Sequence, residues 1–343
     1  MSFPKRFMNP LPNISGCLIV DNSALEDLQS CPWLYYAKHI LRRVPVAGKA
    51  PLIFGGALHA ALRVRYTTLL HERCTPDVQA LMIDAARDYM AVHPPPAQDH
   101  RQFELAEAFI RMYNEVYGRE NFLIAKEKLK NKPIVELPFI FELGTLGNGQ
   151  RVLYTGRIDL VLHDTEGLWV TDHKSTFEYG LGFEDIMRVS PQMRGYAYAC
   201  KTILGEQPTG YIINAIRVRK PRRSDEFAVT GQGSVRPDDF KRIREHLSYH
   251  ELAEWRDNTL NLCEELLFYH KRDRFPNHRK SCVGIYGRCH FYDACLINPD
   301  HRESFLRSYV FEANTWSPLN KPEDKPEGKP EGQKVIIGSS LFA

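Results

Sequence analysis

The sequence lacks any long apolar run, and none reaches the roughly 18 residues that a membrane-spanning helix needs. Its opening segment, Met-Ser-Phe-Pro-Lys-Arg, has no apolar core of the kind found in secretory signal peptides. Eight cysteines in 343 residues are too few for a disulfide-rich secreted scaffold. These features predict a protein of the reducing cytoplasm that makes no contact with a membrane.

The excess of positive over negative charge is also small. A net charge of +3 neither indicates a nucleic-acid partner nor excludes one. The hydrophobic fraction of 43% and the charged fraction of 25% are ordinary for a soluble enzyme, and the length suits one large domain or two modest ones. Internal repeats are absent except in the low-complexity run Lys-Pro-Glu-Asp-Lys-Pro-Glu-Gly-Lys-Pro-Glu-Gly at 321–332, which predicts a disordered tail.

A hairpin near the middle of the chain carries the residues best suited to catalysis. Residues 152–163 and 168–175 are rich in Val, Leu, Ile, Tyr and Trp, which predicts two strands. The run His-Asp-Thr-Glu-Gly at 163–167 predicts the turn between them. If residues 164–167 make an even-length turn, opposed positions sum to 331 and Asp159 lies directly across from Asp172.

Three charged side chains would then share one face of this hairpin. Side chains two apart on a strand point the same way, so Lys174 lies on the face of Asp172 while His173 points away. Like charges directly opposite one another destabilise a strand pair. We therefore predict a divalent cation bound between Asp159 and Asp172. The alternative is a pair of solvated acids near a hairpin end, and an odd-length loop would weaken the cation prediction.

Two helices predicted before the hairpin carry candidate site residues. Ser23 has the character of an N-cap for a helix over Ala24–His39, and this helix contains Cys31. A second helix opens at Phe54 in the run Phe-Gly-Gly-Ala-Leu-His, where the glycines allow close backbone approach. It carries His59, although a lone histidine on such a helix is more often structural than a ligand.

A third helix is predicted after the hairpin. Ser190 and Pro191 suit its N-cap and first position, and Gly205 stops it. Gln192 and Tyr196 are four residues apart on this helix and therefore share a face.

Strands on both sides of the hairpin complete the predicted core. One is Ile134–Leu143, which carries Glu136, and the other is Tyr211–Val218 after the helical crossover. The order helix, three strands, helix, strand predicts an α/β fold with a mixed central β-sheet flanked by helices. Residues 236–272 are expected to form one or two long helices.

The predicted organisation has five parts. They are an N-terminal segment at 1–50, a core at 51–75 and 131–225, a helical insertion at 76–130, a helical and cysteine-bearing region at 226–310, and a disordered tail at 311–343.

The hairpin residues suit a hard metal ion. Carboxylates and the backbone carbonyl of His173 are oxygen ligands, which favour Mg²⁺ or Mn²⁺ over zinc. An imidazole nitrogen from His59 would tilt the preference toward Mn²⁺. Lys174 beside the ion is placed to orient an attacking water or to stabilise charge on a phosphate. This outline predicts hydrolysis of a phosphodiester bond.

Four motifs in this order resemble the PD-(D/E)XK nuclease superfamily over roughly residues 20–300, and they are most similar to its RecB-type branch. That branch includes the CRISPR-associated adaptation nucleases and the AddB nuclease domain. The motifs are Phe-Gly-Gly-Ala-Leu-His59, Gly-Arg-Ile-Asp159, Asp172-His-Lys174 and Gln192-x-x-x-Tyr196. Here the second acid is Asp, where Glu is commoner.

The resemblance implies a restriction-endonuclease-like core and a role for each motif. His59, Asp159 and Asp172 would be metal ligands, and Lys174 would be the catalytic lysine. Gln192 and Tyr196 would help to hold the scissile strand. Glu136 falls on the strand where some relatives carry an acid.

The cysteines give a partly separate signal. Cys282, Cys289 and Cys295 are spaced too widely for the paired Cys-x-x-Cys knuckles of most structural zinc sites. Iron–sulfur clusters usually have four thiolate ligands, of which this run supplies three. In iron–sulfur members of the RecB-type branch one cysteine precedes the core, and Cys31 fits that position. The resemblance thus implies a [4Fe–4S] cluster, with zinc or no metal as alternatives. The remaining cysteines are predicted to be ordinary thiols: Cys17, Cys74, Cys200 and Cys263.

Basic residues cluster just beyond the last core strand. Arg217, Arg219 and Lys220 are the candidates for binding DNA phosphates. A run of charge is more often simply a solvated face.

The sequence therefore predicts a metal-dependent DNA nuclease, and the resemblance favours an exonuclease on single-stranded or end-opened DNA. The resemblance also suggests recombination, repair or CRISPR-adaptation proteins as partners, in a bacterial, archaeal or virus-infected cytoplasm. One alternative is a non-catalytic DNA-binding or adaptor protein that keeps the fold and the cluster, although the complete Asp-Asp-Lys set argues against it. Another is a zinc-stabilised structural protein.

Overall fold

The structure, a computed structural model, describes residues 11–46, 50–68, 74–119, 121–126, 131–179, 181–219, 235–284, 287–308 and 310–313. Lys220 and most of the predicted tail lie outside these residues. The chain divides into two compact units. The first comprises Met1–Ala47, Pro138–Arg157 and Ala253–Ala343, and the second comprises Gly48–Leu137 and Ile158–Leu252. The five-part division of the chain stays a prediction.

The described strands are β1 (Asn13–Ile14), β2 (Cys17–Val20), β3 (Arg43–Pro45), β4 (Leu123–Ile124), β5 (Val135–Thr145), β6 (Arg151–Asp164), β7 (Gly167–Thr176), β8 (Gly210–Arg217), β9 (Phe240–His246), β10 (Val283–Gly284), β11 (Gly287–Arg288) and β12 (Phe311–Ala313). The described α-helices are α1 (Asn22–Ser30), α2 (Pro32–Tyr35), α3 (Ala50–Thr68), α4 (Pro76–Val92), α5 (Phe103–Val116), α6 (Leu181–Arg188), α7 (Pro191–Leu204), α8 (Tyr249–Lys271), α9 (Tyr292–Leu296) and α10 (Arg302–Leu306).

The second unit is built on a mixed β-sheet. From Ile158 onward, β6 pairs antiparallel with β4 and with β7. Strand β7 pairs parallel with β8, and β8 pairs antiparallel with β9. Helices α6 and α7 lie in the crossover between β7 and β8, because parallel neighbours need a long connection. The predicted α/β architecture with a mixed central sheet is confirmed.

Helices α3, α4 and α5 pack on one face of this sheet. Their apolar side chains, including Phe54, Leu62 and Phe109, form one buried cluster with Leu160 of β6 and Ile212 of β8. Burial of apolar surface is the main contribution that holds helices to a sheet, and it stabilises by about 25 cal/mol per Å² of apolar surface removed from water. Helices α4 and α5 lie within the helical insertion predicted at 76–130.

The hairpin has the predicted register. Leu160 opposes Thr171 and Asp164 opposes Gly167, so the opposed positions sum to 331. Gly167 has a φ of 125°, a conformation that a side chain would strain. The Asp164 side chain accepts a hydrogen bond from the backbone N–H of Glu166, which stabilises the tight turn.

The first unit has its own strand pairs and core. Strand β2 pairs parallel with the first part of β6, where Leu18 opposes Val152, and β3 pairs antiparallel with β12. Its buried side chains include Phe139 and Tyr154, whose rings stack, and Trp255, whose ring lies edge-on to Tyr154. Aromatic packing therefore contributes to the core of the first unit.

The first predicted helix is wrong in two respects. Its N-cap is Asp21, whose side chain accepts a hydrogen bond from the N–H of Ala24, and not Ser23. The helix also breaks at Cys31, which has an extended backbone with φ −164° and ψ 112°. Pro32 explains the break, because a proline disfavours helical geometry in the residue before it.

The long helices predicted over 236–272 are only partly correct. Helix α8 occupies the later part, but Phe240–His246 forms strand β9. Pairing with β8 and burial of Phe240 and Ile243 outweigh the helical tendency of the intervening Arg and Lys residues. Helix α6 was not anticipated.

Candidate active site and metal centre

Two glycines before His59 let helix α3 approach its neighbours closely. A Cβ atom on Gly56 would lie 2.2 Å from the hydroxyl of Tyr89 in α4. A Cβ atom on Gly55 would lie 3.2 Å from Oγ of Ser175 near the end of β7. Helix α3 is thereby held against both α4 and β7, and this packing brings the imidazole of His59 to the hairpin.

Three side chains meet beside the hairpin. The Nδ1 atom of His59 lies 3.5 Å from Oδ2 of Asp159 and 3.6 Å from Oε1 of Glu136. One possible ligand atom from each residue lies within 4.8 Å of the other two. All three residues belong to the second unit, and they come from α3, β5 and β6.

The contact made by the other ring nitrogen of His59 determines which nitrogen carries a proton. Nε2 lies 2.9 Å from the backbone carbonyl of His173. Because a carbonyl can only accept a hydrogen bond, Nε2 carries a proton, and Nδ1 faces the two carboxylates. Burial alone would lower the pKa of His59, but Asp159 and Glu136 outweigh it and raise that pKa to about 9. The position of Nδ1 thus attracts positive charge, whether as a proton or as a metal ion.

The two hairpin acids are both buried. Asp159 is 8% exposed and Asp172 is 2% exposed. Burial raises the pKa of Asp159, the negative charges of Asp172 and Glu136 raise it further, and His59 opposes the rise. The backbone N–H of His173 donates to Oδ2 of Asp159 at 2.9 Å. Three acids close together, two of them buried, favour a bound cation.

Glu136 has an unusual backbone for a strand residue. Its φ of 49° lies in the left-handed region, which residues other than glycine rarely adopt. Such strain costs on the order of 1 kcal/mol and concentrates at functional sites. The predicted ligand set did not include Glu136. An acid inside the apolar run Ile-Val-Glu-Leu-Pro-Phe-Ile was the available signal.

A chain of polar contacts runs from the hairpin to helix α7. Lys174 Nζ lies 2.9 Å from Oδ2 of Asp172 and donates to Oε1 of Gln192 at 2.8 Å. The amide of Gln192 in turn donates to the hydroxyl of Tyr196 at 2.9 Å. The structure therefore brings together Asp172, Lys174, Gln192 and Tyr196 on the side of the sheet away from the His173 ring.

The donor set near His59 fits a hard divalent cation. Mg²⁺ bonds to its ligands are 2.0–2.1 Å long, so atoms that share one ion lie about 3 to 4 Å apart. The separations from His59 to Asp159 and Glu136 fall in this range. Asp172 lies outside the group of three and is paired with Lys174. Its predicted role as a ligand stays a prediction, as do those of His59, Asp159 and the His173 carbonyl.

Two of the predicted DNA-binding arginines form ion pairs within the protein. Arg217 donates to Asp238 and Asp239, and Arg219 donates to Asp239, which is 1% exposed. The Arg217 guanidinium also lies 5.1 Å from the centre of the Tyr179 ring. These contacts tie the end of β8 to the segment before β9, and DNA binding by the arginines stays a prediction.

The four cysteines of the predicted cluster lie in the first unit. The thiol of Cys31 is buried and accepts a hydrogen bond from the N–H of His278 at 3.3 Å. Burial raises the pKa of Cys289 and of Cys295, and the nearby Cys282 and Cys31 contribute to both shifts. Among the described residues, no three cysteine sulfurs lie within 4.8 Å of one another.

Comparison with known protein families is consistent with this geometry. The family model of the PD-(D/E)XK nuclease superfamily matches residues 22–296, a range that contains every predicted site residue. No curated protein matches the sequence significantly. Within the described ranges, no helix is both long and apolar enough to cross a bilayer.

Proposed function

This chain belongs to the PD-(D/E)XK nuclease superfamily, and from that premise we propose that it is a metal-dependent DNA exonuclease of the RecB-type branch. Its substrate would be single-stranded or end-opened DNA. The observation that carries the proposal is the meeting of His59, Glu136 and Asp159 next to the ion pair of Asp172 and Lys174. A cation site with an ammonium beside it offers two groups that can promote phosphodiester hydrolysis.

We propose Mg²⁺ or Mn²⁺ as the ion, held by His59, Asp159 and Glu136, with Asp172 as a further ligand. The ion would supply a Lewis acid and would lower the pKa of a water molecule. Asp159 is oriented for this role by the N–H of His173, and His59 is oriented by the carbonyl of the same residue. Outer contacts of this kind are typical of metal ligands in proteins.

Lys174 is the residue best placed to act on the phosphate. Its side chain is 32% exposed, so the ammonium is accessible from solvent while Asp172 and Gln192 hold it in one direction. The positive charge would stabilise the negative charge that develops on the scissile phosphate. Gln192 and Tyr196 extend the same polar surface and would hold the DNA strand.

The proposal is tested by digestion of DNA labelled separately at its 5′ and 3′ ends. We expect the metal-free protein to be inactive and Mn²⁺ to restore progressive shortening from one end. Asp159→Asn should reduce the rate by about 10³-fold, because it keeps the size of the ligand but removes its charge. The label that is released first would identify the polarity.

Two outcomes would count against this function. Digestion by Asp159→Asn at the rate of the parent would show that the cutting occurs elsewhere. A wild-type protein that binds DNA but never cuts it with Mn²⁺ or Mg²⁺ would instead support the adaptor alternative.

We further propose that Cys31, Cys282, Cys289 and Cys295 bind a [4Fe–4S] cluster. Cys31, Cys289 and Cys295 pack in one hydrophobic cluster, and Cys282 is near enough to raise the pKa of Cys289 and of Cys295. Four thiols gathered in one place are the usual ligand set of an iron–sulfur cluster, which supports the proposal. Such a cluster would close a loop of more than two hundred residues and stabilise the first unit, by analogy with a disulfide.

Anaerobic purification tests the cluster. The protein should be brown, with a broad band near roughly 400 nm and about four irons per chain. Cys289→Ser should lose iron and lower the melting temperature, whereas Cys74→Ser, which changes a partly exposed thiol of the second unit, should keep both the iron and the melting temperature. A colourless, zinc-loaded wild-type protein would rule the cluster out.

A further inference from the structure

The backbone of His173 connects the two segments that carry the proposed ligands. Its N–H donates to Oδ2 of Asp159 at 2.9 Å. Its carbonyl accepts from Nε2 of His59 at 2.9 Å. The orientation of this single residue therefore fixes the positions of two of the three side chains that would hold the ion.

The His173 side chain points the other way, into a buried polar row that crosses three strands. Asn214 opposes His173 in the pairing of β7 with β8, and Arg242 opposes Asn214 in the pairing of β8 with β9. The Nδ2 atom of Asn214 lies 2.8 Å from Nδ1 of His173. Because this amide nitrogen is a donor, Nδ1 accepts and the ring is held in one orientation.

Two tyrosines from the helical layer complete the row. The Tyr113 hydroxyl of α5 accepts from Asn214 at 2.8 Å and lies 2.7 Å from the Tyr66 hydroxyl of α3. The Tyr66 ring stacks on the His173 ring, with centres 5.8 Å apart and planes 14° apart. Tyr66 and His59 are two turns apart on α3, so one helix contacts both the ring and the carbonyl of His173.

This row lies in a site where apolar side chains would pack at lower cost. Asn214, Tyr66 and Tyr113 are 1%, 1% and 2% exposed, and the strand neighbours Ile212 and Ile216 on the same face belong to the apolar core. Buried polar groups lower stability unless they are paired, and Oδ1 of Asn214 has no hydrogen-bond partner among the described residues. The hydrogen bonds that the row does make fix one geometry. A requirement for orientation explains why a polar row occupies this part of the core.

We infer that Asn214, Tyr113 and Tyr66 are positioning residues for the proposed metal site. They hold His173 so that its N–H and carbonyl keep Asp159 and His59 in register with each other. The inference rests on the proposed function, because it concerns the same site. Loss of a contact that orients a metal ligand typically lowers metal affinity or activity by about 10–100-fold.

The experiment compares Tyr113→Phe and Asn214→Leu with Tyr154→Phe. Tyr154 is an equally buried tyrosine whose hydroxyl has no hydrogen-bond partner among the described residues, so it controls for loss of a buried hydroxyl. Calorimetric titration with Mn²⁺ alone, without DNA, should show about 10-fold weaker binding for both test variants. Hydrogen exchange of the metal-free peptide 170–176 should be faster in them than in the control. In digestion assays kcat should fall by about 10-fold with KM for DNA unchanged.

The outcomes separate this inference from the function on which it rests. If the wild type binds no Mn²⁺, or Asp159→Asn binds it equally well, the proposed metal site itself is wrong. If Asp159→Asn loses binding while Tyr113→Phe and Asn214→Leu match Tyr154→Phe in Mn²⁺ affinity, exchange and kcat, the inference is overturned and the nuclease proposal stands. A fall in melting temperature alone would likewise overturn it, since a purely structural role predicts only that.

Discussion

Lys174→Ala is expected to lower kcat for DNA cleavage by about 10³-fold without weakening the binding of Mn²⁺. The ammonium is placed to stabilise charge on the phosphate. The other residues in the chain of polar contacts, Asp172, Gln192 and Tyr196, carry no positive charge. Its removal also leaves the buried carboxylate of Asp172, whose side chain is 3% exposed, without its counter-charge. That carboxylate then becomes a better ligand, so Mn²⁺ affinity should hold or rise.

The combination of lost turnover and retained metal binding is specific to a residue that acts on the substrate. Lys241→Ala provides the matched control, because this lysine on β9 pairs with Glu184 and lies outside the contact chain. Single-turnover cleavage measures the rate of the chemical step, and calorimetry on the same preparations measures the affinity for Mn²⁺. Parallel losses of kcat and of Mn²⁺ affinity would make Lys174 a structural partner of the metal site, and unchanged cleavage would refute its assignment.

Gly210→Ala is expected to destabilise the second unit by about 3 kcal/mol, at the upper end of the usual cost of overpacking. A Cβ atom on Gly210 would lie 2.0 Å from the carbonyl oxygen of Glu245 and 2.9 Å from Cα of His246. Both atoms are backbone of the paired strand β9, so no side-chain rotation can relieve the clash. The β8–β9 pair would have to separate at this end, and the apparent melting temperature should fall by roughly 6–12 °C.

Gly182→Ala is the control for this prediction. Its added Cβ would meet no atom within 4 Å, and alanine favours helix α6 by about 0.5–1 kcal/mol. Thermal unfolding followed by circular dichroism distinguishes the two variants. Equal melting temperatures for Gly210→Ala and the parent would show that β9 does not pack against β8 as described.

The hairpin could be predicted from the sequence because local chemistry determines it. A polar turn between two apolar runs set both the strand pair and its register, and the register placed Lys174 on the face of Asp172. The contact between Gln192 and Tyr196 followed equally from helical spacing. In each case the partners are close in sequence or are related by one regular element.

The parts that could not be predicted depend on partners distant in the chain. Strand β9 forms because β8 offers it a pairing edge, which its own sequence does not reveal. Glu136 reaches His59 through a backbone conformation that no propensity favours. Tyr113 looks like an ordinary core residue of an amphipathic helix until the fold brings its hydroxyl to Asn214. Tertiary packing decided these features.

At position 136, selection for activity and selection for stability should favour different residues. Selection for cleavage would retain an acid that its own backbone disfavours, if that acid serves as a ligand in the way proposed. A lineage freed from that selection would become more stable by acquiring glycine or asparagine, which tolerate a positive φ at little cost. Among proteins descended from a common ancestor, an acid at position 136 would therefore mark those that still cleave DNA. Glycine or asparagine there would mark those that only bind it.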